Sequence, residues 1–306
     1  MLIKHLEYLV ALAREKHFAR AAAVCHVTQP TLSAGIKQLE DSLGVLVVER
    51  GQRFRGLTPE GERVLAWAQR ILSDVDGLRQ DVSETHGGLV GRLRLGAIPA
   101  ALPMVALVTA PFVERYPAAS TTIWSLTSIE IQRGLDDFTL DAGISYLDNE
   151  PLARVRTVPL YRERYVLITS ALGPMGRRTS VGWREAADLP LCLMTPDMQN
   201  RRILDGHFRS VGATARPHVE ANTMVALASH LRFGNYSAVL PKTMLAVMGN
   251  LPNMIALPLV EPEVSHEVGL IVADREPPTP VAAAAVRVAD SLTLGATIDK
   301  LTWPNT

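Results

Sequence analysis

The chain has 306 residues, 47% of them hydrophobic and 20% charged, and its 31 basic side chains balance 31 acidic ones. This composition excludes a largely disordered chain, and the length predicts two domains or one domain with sizeable additions. No stretch approaches the ~18 uncharged apolar residues of a membrane span, so we expect a soluble cytoplasmic protein without a membrane partner. Two cysteines, Cys25 and Cys192, are too few for a disulfide framework or a zinc site.

Residues 1–57 contain short helical patterns followed by a segment rich in valine and arginine, VVERGQRFRGLT. The second helix is predicted over Phe18–Val24 and the third over Gln29–Leu43, which leaves residues 25–28 between them. Helices joined by so short a turn cross steeply, which is typical of a helix-turn-helix. The arginine-rich segment predicts a short two-stranded wing.

The third helix has an apolar stripe and an opposite face that is small, polar and basic. The stripe is formed by Leu32, Ile36, Leu39 and Leu43, and Thr28 is the predicted N-cap. A face of this kind fits the ~12 Å major groove, and arginines of the wing can reach a backbone or a minor groove. The predicted DNA-binding residues are Thr28, Gln29, Pro30, Thr31, Ser33, Lys37, Arg50 and Arg53. The alternative for each residue taken alone is an ordinary solvated surface.

A long helix is predicted from about residue 58 to 85, with Thr58 as N-cap and Pro59 in the first turn. Its apolar residues recur at alternating spacings of four and three, which is a heptad pattern. They are Val64, Ala68, Ile71, Val75, Leu78 and Val82. We expect this seam to pair with a second copy of the chain. The alternative is a helix that lies against its own domain.

From about residue 91, strand-like segments alternate with helix-like segments, which predicts α/β layers with a largely parallel sheet. The region is long enough to divide into two lobes. The histidines are scattered, and the chain contains no G-x-S-x-G, P-loop or G-x-G-x-x-G pattern, so we predict neither an enzyme, a metal site nor a cofactor. A free-standing α/β binding protein or enzyme with an incidental helical N-terminus stays open as the alternative.

The N-terminal segment resembles the DNA-binding domain of LysR-type transcriptional regulators. The matching positions include Ala21-Ala22, Val27–Pro30 and Leu57–Gly61, and they extend over about residues 3–62. The resemblance implies an all-α winged helix-turn-helix domain, a linker-helix dimer and an α/β effector domain shaped like a periplasmic binding protein. It also implies double-stranded promoter DNA and a small effector as partners, and a homodimer that usually pairs into a homotetramer. Ala34 departs from the family, which often has arginine there.

The resemblance divides the chain into domains 1–57, 58–88 and 89–306. Lobe I is expected to cover about 91–162 and 268–306, and lobe II about 163–267. The strands that cross between the lobes are expected near 162–166 and 265–268.

The family's effector lies between the lobes, and the resemblance places a set of residues there. Ser128 and Thr223 stand close to predicted helix starts, where backbone N–H groups and hydroxyls favour an anion, although both can simply cap their helices. No lysine or arginine is among the candidates, so we expect partial charges to hold a small carboxylate. The chain also resembles regulators found beside formate dehydrogenase genes, and this resemblance suggests formate as the carboxylate. The predicted effector-binding residues are Ile98, Pro99, Ala100, Thr127, Ser128, Tyr146, Thr195, Pro196, Met198, Asn222 and Thr223.

Overall fold

The computed structural model describes residues 2–49, 54–150, 152–249 and 251–300. The chain forms two compact units, one of residues 1–89 with 136–139 and one of residues 90–135 with 140–306. Within the described ranges, no helix is both long enough and apolar enough to cross a membrane.

The first unit contains four helices, which are α1 (Ile3–Glu15), α2 (Phe18–Val24), α3 (Gln29–Leu43) and α4 (Pro59–Gly87). Thr28 caps α3 by accepting a hydrogen bond from the Thr31 N–H, and Thr58 caps α4 by accepting one from the Gly61 N–H. An antiparallel bridge between Val48 and Leu57 joins the two sides of the wing. The predicted winged helix-turn-helix is therefore confirmed.

Close packing holds Val47 and Val48, at the start of the wing, between α3 and α4. The Glu40 carboxylate accepts hydrogen bonds from the N–H groups of Val47 and Val48, at 2.8 and 3.1 Å. A Cβ atom on Gly61 would lie 2.0 Å from the Val47 carbonyl oxygen, so no larger residue fits at this approach. One expectation is corrected here, because Leu43 is 41% exposed at the end of α3 and does not belong to the buried stripe.

The predicted heptad seam of α4 divides into two parts. Ala68 is buried in the core of the first unit, and Val64 and Ile71 pack against that core, to which α1 contributes. Leu78 and Val82 are 65% and 53% exposed. Ala68 is therefore covered by its own domain, whereas Val64 and Ile71 are only partly buried by it, and the pairing of this seam with a second copy stays a prediction. The heptad period identified an apolar face but not which partner covers it.

The second unit has ten strands and eight helices among its described residues. The strands are β1 (Gly91–Ala97), β2 (Ala119–Ser125), β3 (Ala142–Tyr146), β4 (Val155–Ser170), β5 (Val181–Gly182), β6 (Cys192–Met194), β7 (Val219–Ala221), β8 (Ala238–Pro241), β9 (Met254–Val260) and β10 (Ser265–Ala273). The helices are α5 (Ala106–Arg115), α6 (Ser128–Asp136), α7 (Trp183–Ala187), α8 (Gln199–Ser210), α9 (Met224–Phe233), α10 (Leu245–Met248), α11 (Pro280–Ser291) and α12 (Gly295–Asp299).

The long strand β4 connects two halves of the main sheet, whose order is β2-β1-β3-β10-β4-β9-β5. Residues 155–164 of β4 pair with β10, whereas residues 165–170 pair with β8 and β9. We call the half around β1, β2, β3 and β10 lobe I and the half around β5 to β9 lobe II. The sheet is mixed rather than largely parallel, because β4 and β10 run antiparallel to each other where they cross between the lobes.

Candidate functional site

The outward face of α3 carries the residues that the sequence assigned to DNA contact. Thr28, Gln29, Pro30, Thr31 and Lys37 are exposed, and Ser33 is half-buried. Ala34, on the same face, is also exposed. Arg50 and Arg53, which were also predicted to contact DNA, lie outside the described residues.

The predicted effector-binding residues differ in their exposure. Ile98, Pro99 and Ala100 are buried after β1, whereas Pro196, Asn222 and Thr223 are exposed. Thr223 caps α9 by accepting a hydrogen bond from the Ala226 N–H. Thr127 and Glu130 bond to each other's backbone N–H at the start of α6. Capping therefore accounts for the hydroxyls of Thr127 and Thr223.

Side chains at the start of α8 meet the end of β3. The Ser145 hydroxyl donates to Gln199 Oε1 at 2.9 Å, and Asn200 Nδ2 donates to the Tyr146 hydroxyl at 3.4 Å. The Tyr165 hydroxyl also donates to that of Tyr146, at 3.1 Å. Gln199 and Asn200 are only 2% and 4% exposed. Lobe I and lobe II are thus joined by buried amides and hydroxyls.

The same place holds polar atoms whose hydrogen-bonding capacity is unused. Among the described residues, Gln199 Nε2, Asn200 Oδ1 and Thr195 Oγ1 are buried without a hydrogen-bond partner. Each buried polar atom left unsatisfied costs about 1–3 kcal/mol. The three atoms are a donor, an acceptor and a hydroxyl, and such buried unsatisfied groups require an explanation.

Ser128 lies beside this junction and binds a carboxylate of the chain itself. Its hydroxyl donates to Glu150 Oε2 at 2.9 Å, and the Arg202 guanidinium donates to Glu150 Oε1 at 2.6 Å and to the Ser128 hydroxyl at 3.2 Å. Burial opposes ionisation of Glu150, but hydrogen bonds from Arg202 and Ser128 outweigh it and lower the pKa of this carboxyl. No lysine or arginine was among the predicted effector-binding residues, but Arg202 reaches Ser128 from α8.

A buried carboxyl stands where β4 crosses between the lobes. Glu163 is 1% exposed, and both its carboxylate oxygens accept hydrogen bonds from Thr243. Burial raises the pKa of Glu163 to about 7, although the hydrogen bonds from Thr243 act in the opposite direction. Its charge therefore changes close to neutral pH.

Two histidines contact each other near the same crossing. His207 Nε2 and His266 Nε2 are 2.9 Å apart, and His266 Nδ1 lies 3.1 Å from Asp148 Oδ1. Burial, and next the proximity of His266, lower the pKa of His207 to about 4. His207 is therefore neutral at physiological pH. The described residues contain no group of three or more His, Cys, Asp or Glu side chains that could hold a metal ion.

Thiol chemistry is disfavoured in the second unit. Cys192 is its sole cysteine in the sequence, it is fully buried in β6, and burial raises the pKa of its thiol to about 11. A thiol reacts as its thiolate, so this side chain is expected to behave as a small apolar residue.

The sequence reasoning missed four residues of the junction, which are Glu150, Gln199, Asn200 and Arg202. Met198 and Thr195 were predicted, so the loop was located but not the first turn of the helix that follows it. The available signal was the polar run Gln199-Asn200-Arg201-Arg202 directly after a predicted effector loop.

The fold and these sites define a DNA-binding transcription regulator with a separate effector-binding region. Residues 3–62 match the family described as bacterial regulatory helix-turn-helix protein, lysR family, and residues 86–292 match the LysR substrate binding domain. The chain belongs to the LysR family of transcription regulators. Regulators of this family bind promoter DNA as oligomers. Because the matches cover both the helical N-terminal region and the α/β region, the alternative of an incidental helical N-terminus is removed.

Several relatives are similar over nearly the whole chain. The DNA-binding transcriptional dual regulator OxyR of Escherichia coli (strain K12) is 30% identical over 272 residues, which cover 89% of each protein. The hydrogen peroxide-inducible genes activator of Dickeya chrysanthemi is 29% identical over 293 residues, covering 95% of each. None of these names supports formate as the effector.

Solved structures give the same picture. A full-length OxyR variant from Pseudomonas aeruginosa has a TM-score of 0.77 at 26% identity, covering 97% of both chains. Full-length CbnR complexed with its target DNA has a TM-score of 0.68 at 22% identity, covering 94% of this chain and 99% of that one. At such identity the second likeness concerns the fold.

Proposed function

We propose that this regulator responds to a small polar molecule that binds reversibly between the lobes, beside Gln199 and Asn200. The observation that carries the proposal is the set of buried, unpartnered polar atoms there, on Gln199, Asn200 and Thr195. A ligand that both donates and accepts hydrogen bonds satisfies this set. Binding to one lobe arrangement better than the other then changes how the protein sits on promoter DNA.

The proposal revises the expected anionic effector. The unpartnered atoms include a carbonyl oxygen, Asn200 Oδ1, which repels an anion. The nearby cation, Arg202, is already neutralised by Glu150. A small neutral compound with a hydroxyl, amide or peroxide group therefore fits better than a carboxylate.

A response to hydrogen peroxide is a second candidate, favoured by the names of the relatives. In this chain such a response would proceed by reversible binding, because Cys192 is buried and its raised pKa of about 11 keeps it protonated. Hydrogen peroxide is itself small and neutral, and it both donates and accepts hydrogen bonds. It therefore belongs among the compounds to test.

The DNA-binding part of the proposal rests on α3 and α4. We propose that Gln29 and Lys37 contact bases or phosphates from the exposed face of α3, and that Ser33 and the arginines Arg50 and Arg53 of the predicted wing also contact DNA. The exposed part of the α4 seam pairs two copies, so the dimer reads two half-sites. We also retain the proposed domains, with a DNA-binding part up to residue 57, a linker helix over 58–88 and an effector part from residue 89.

Thermal shift measurements with defined probes test the effector site. Urea, acetamide and hydrogen peroxide are the neutral probes, and formate and acetate are the anionic ones. A ligand at 100 times its Kd stabilises by about 2.7 kcal/mol. We expect a neutral probe to stabilise the parent but not Asn200→Leu.

The matched control is Asn222→Leu, which removes the same amide from an exposed position that the sequence had placed in the site. This variant should respond like the parent. A probe that stabilises Asn200→Leu and the parent equally would contradict the proposal, as would a response to anions alone.

A further inference from the structure

The carboxylate of Glu150 in lobe I forms an ion pair with Arg202 of lobe II. Glu150 follows β3, Ser128 begins α6 and Arg202 lies in the first turns of α8. The Ser128 side chain is buried, and the side chains of Arg202 and Glu150 are about one-third exposed, at 32% and 28%. Each oxygen of the Glu150 carboxylate has its own donor, since Oε1 accepts from Arg202 Nε and Oε2 accepts from the Ser128 hydroxyl.

The donors are held in place independently of Glu150. Arg202 Nη1 donates to the backbone carbonyl oxygens of Pro196 and Asp197, and Arg202 Nη2 donates to the Ser128 hydroxyl. A guanidinium and a hydroxyl fixed in this way present the donors that recognise a free carboxylate. Removal of the Glu150 side chain would therefore leave a formed anion site rather than a disordered arginine.

We propose that Ser128 and Arg202 form a carboxylate-binding site and that Glu150 is its built-in ligand, which holds the lobes together while no free carboxylate replaces it. This proposal rests on the proposed function in one respect, which is that the junction between the lobes is the place where the protein is regulated. Because Glu150 is tethered, its effective concentration at the site exceeds that of a free monocarboxylate at ordinary levels. The parent protein is therefore insensitive to acetate.

Chemical rescue in the full-length protein tests this site. Glu150→Ala should increase amide hydrogen exchange in residues 127–131 and 196–202 by at least about tenfold, because the Glu150–Arg202 contact between the lobes is lost. Acetate should restore the protection, whereas acetamide, which has the same shape but no charge, should not. The double variant Glu150→Ala with Arg202→Met should not be rescued.

Glu130→Ala is a matched control, because it removes an exposed carboxylate from the same end of α6, and acetate should leave its exchange unchanged. Parental protection in Glu150→Ala without acetate would overturn the proposal, and so would equal rescue by acetate and acetamide. If Glu150→Ala does not fold, Glu150→Gln replaces it, because glutamine keeps the volume of the side chain but lacks the charge. Amide exchange in residues 127–131 and 196–202 of this variant should be faster than in the parent. Exchange at the parental rate would equally overturn the proposal. All these readouts are independent of any response at Gln199 and Asn200, so the two proposals can fail separately.

Discussion

The two sites of the molecule are built in opposite ways. Most of the side chains proposed to contact DNA lie within one helix, Gln29–Leu43, on the exposed face opposite its buried stripe. The junction between the lobes combines Ser128, Glu150 and Arg202, and Ser128 and Arg202 are 74 positions apart. The DNA-binding face can therefore be identified from the period of one helix, whereas the residues of the junction come together only in the folded chain. Substitutions in the first should act through binding alone, and substitutions in the second should also change stability.

The largest effect is expected at the exposed part of the α4 seam. A charge at Leu78 or Val82 would be buried without a partner if two copies pair there. Leu78→Glu with Val82→Glu should yield monomers and reduce operator affinity by about 100-fold or more, because the second half-site is no longer engaged. Sedimentation and gel shifts measure both properties.

Asp76→Ala is the control, since Asp76 is an exposed residue of the same helix whose side chain is 64% exposed and which lies outside the seam. It should remain assembled. A double variant that sediments like the parent would show that this surface does not pair two copies.

The sequence predicted the DNA-binding unit well because its signals are local. The N-caps Thr28 and Thr58 and the short turn before α3 are each contained within a few residues, and the structure reproduces them. The sequence correctly predicted an apolar face on α4, but we expected a second copy of the chain to cover all of it. Ala68 is covered by its own domain, and no period in the sequence distinguishes that from a second copy.

The junction between the lobes was predicted only in part. Ser128 and Tyr146 were found, but Arg202 and Glu150 were not, because their pairing depends on how α8 lies against the end of β3. A carboxylate does lie at Ser128, but it is that of Glu150 in the same chain and not that of an effector.

A second effect is expected from Glu163, a buried group that no local pattern identifies. Its pKa rises from 4.5 to about 7 on burial, so the folded state binds more protons than the unfolded state between these values. The free energy of unfolding should therefore fall as the pH rises through this window, by roughly 3 kcal/mol in total. Glu163→Gln should remove that dependence, because its amide can donate to the Thr243 hydroxyl while its oxygen accepts the N–H bonds.

Urea denaturation at pH 5.5 and pH 8 gives the free energy of unfolding of the parent and of Glu163→Gln. The titration of other groups contributes equally to both proteins, so it cancels when the two pH dependences are subtracted. Glu114→Gln, at an exposed position, should behave like the parent. If Glu163→Gln retains the parental pH dependence, the charge of Glu163 does not change in this range.

A smaller effect is expected on the exposed face of α3. Lys37→Ala should weaken operator binding about tenfold and lower the salt slope by about one unit, because one phosphate contact is removed. Stability should stay at the parental value, since Lys37 is exposed. Lys4→Ala removes an exposed cation from α1 of the same unit and should leave both quantities unchanged. Equal loss in the two variants would indicate a general charge effect rather than a contact made by α3.

The smallest effect is expected from the cysteines, where this chain is to be compared with its peroxide-responsive relatives. Burial, and next the charge of Glu7, raise the pKa of the Cys25 thiol, and burial raises that of Cys192 to about 11. Both thiols are therefore held predominantly in the protonated form at neutral pH, whereas the thiolate is the form that attacks peroxide. Cys25→Ser with Cys192→Ala should therefore leave any response of operator binding to hydrogen peroxide at its parental midpoint, as measured by gel shift, with intact mass recording oxidation of the parent. If the double variant no longer responds to hydrogen peroxide, the response depends on a cysteine thiol. The proposal that hydrogen peroxide acts by binding at Gln199 and Asn200 would then be wrong.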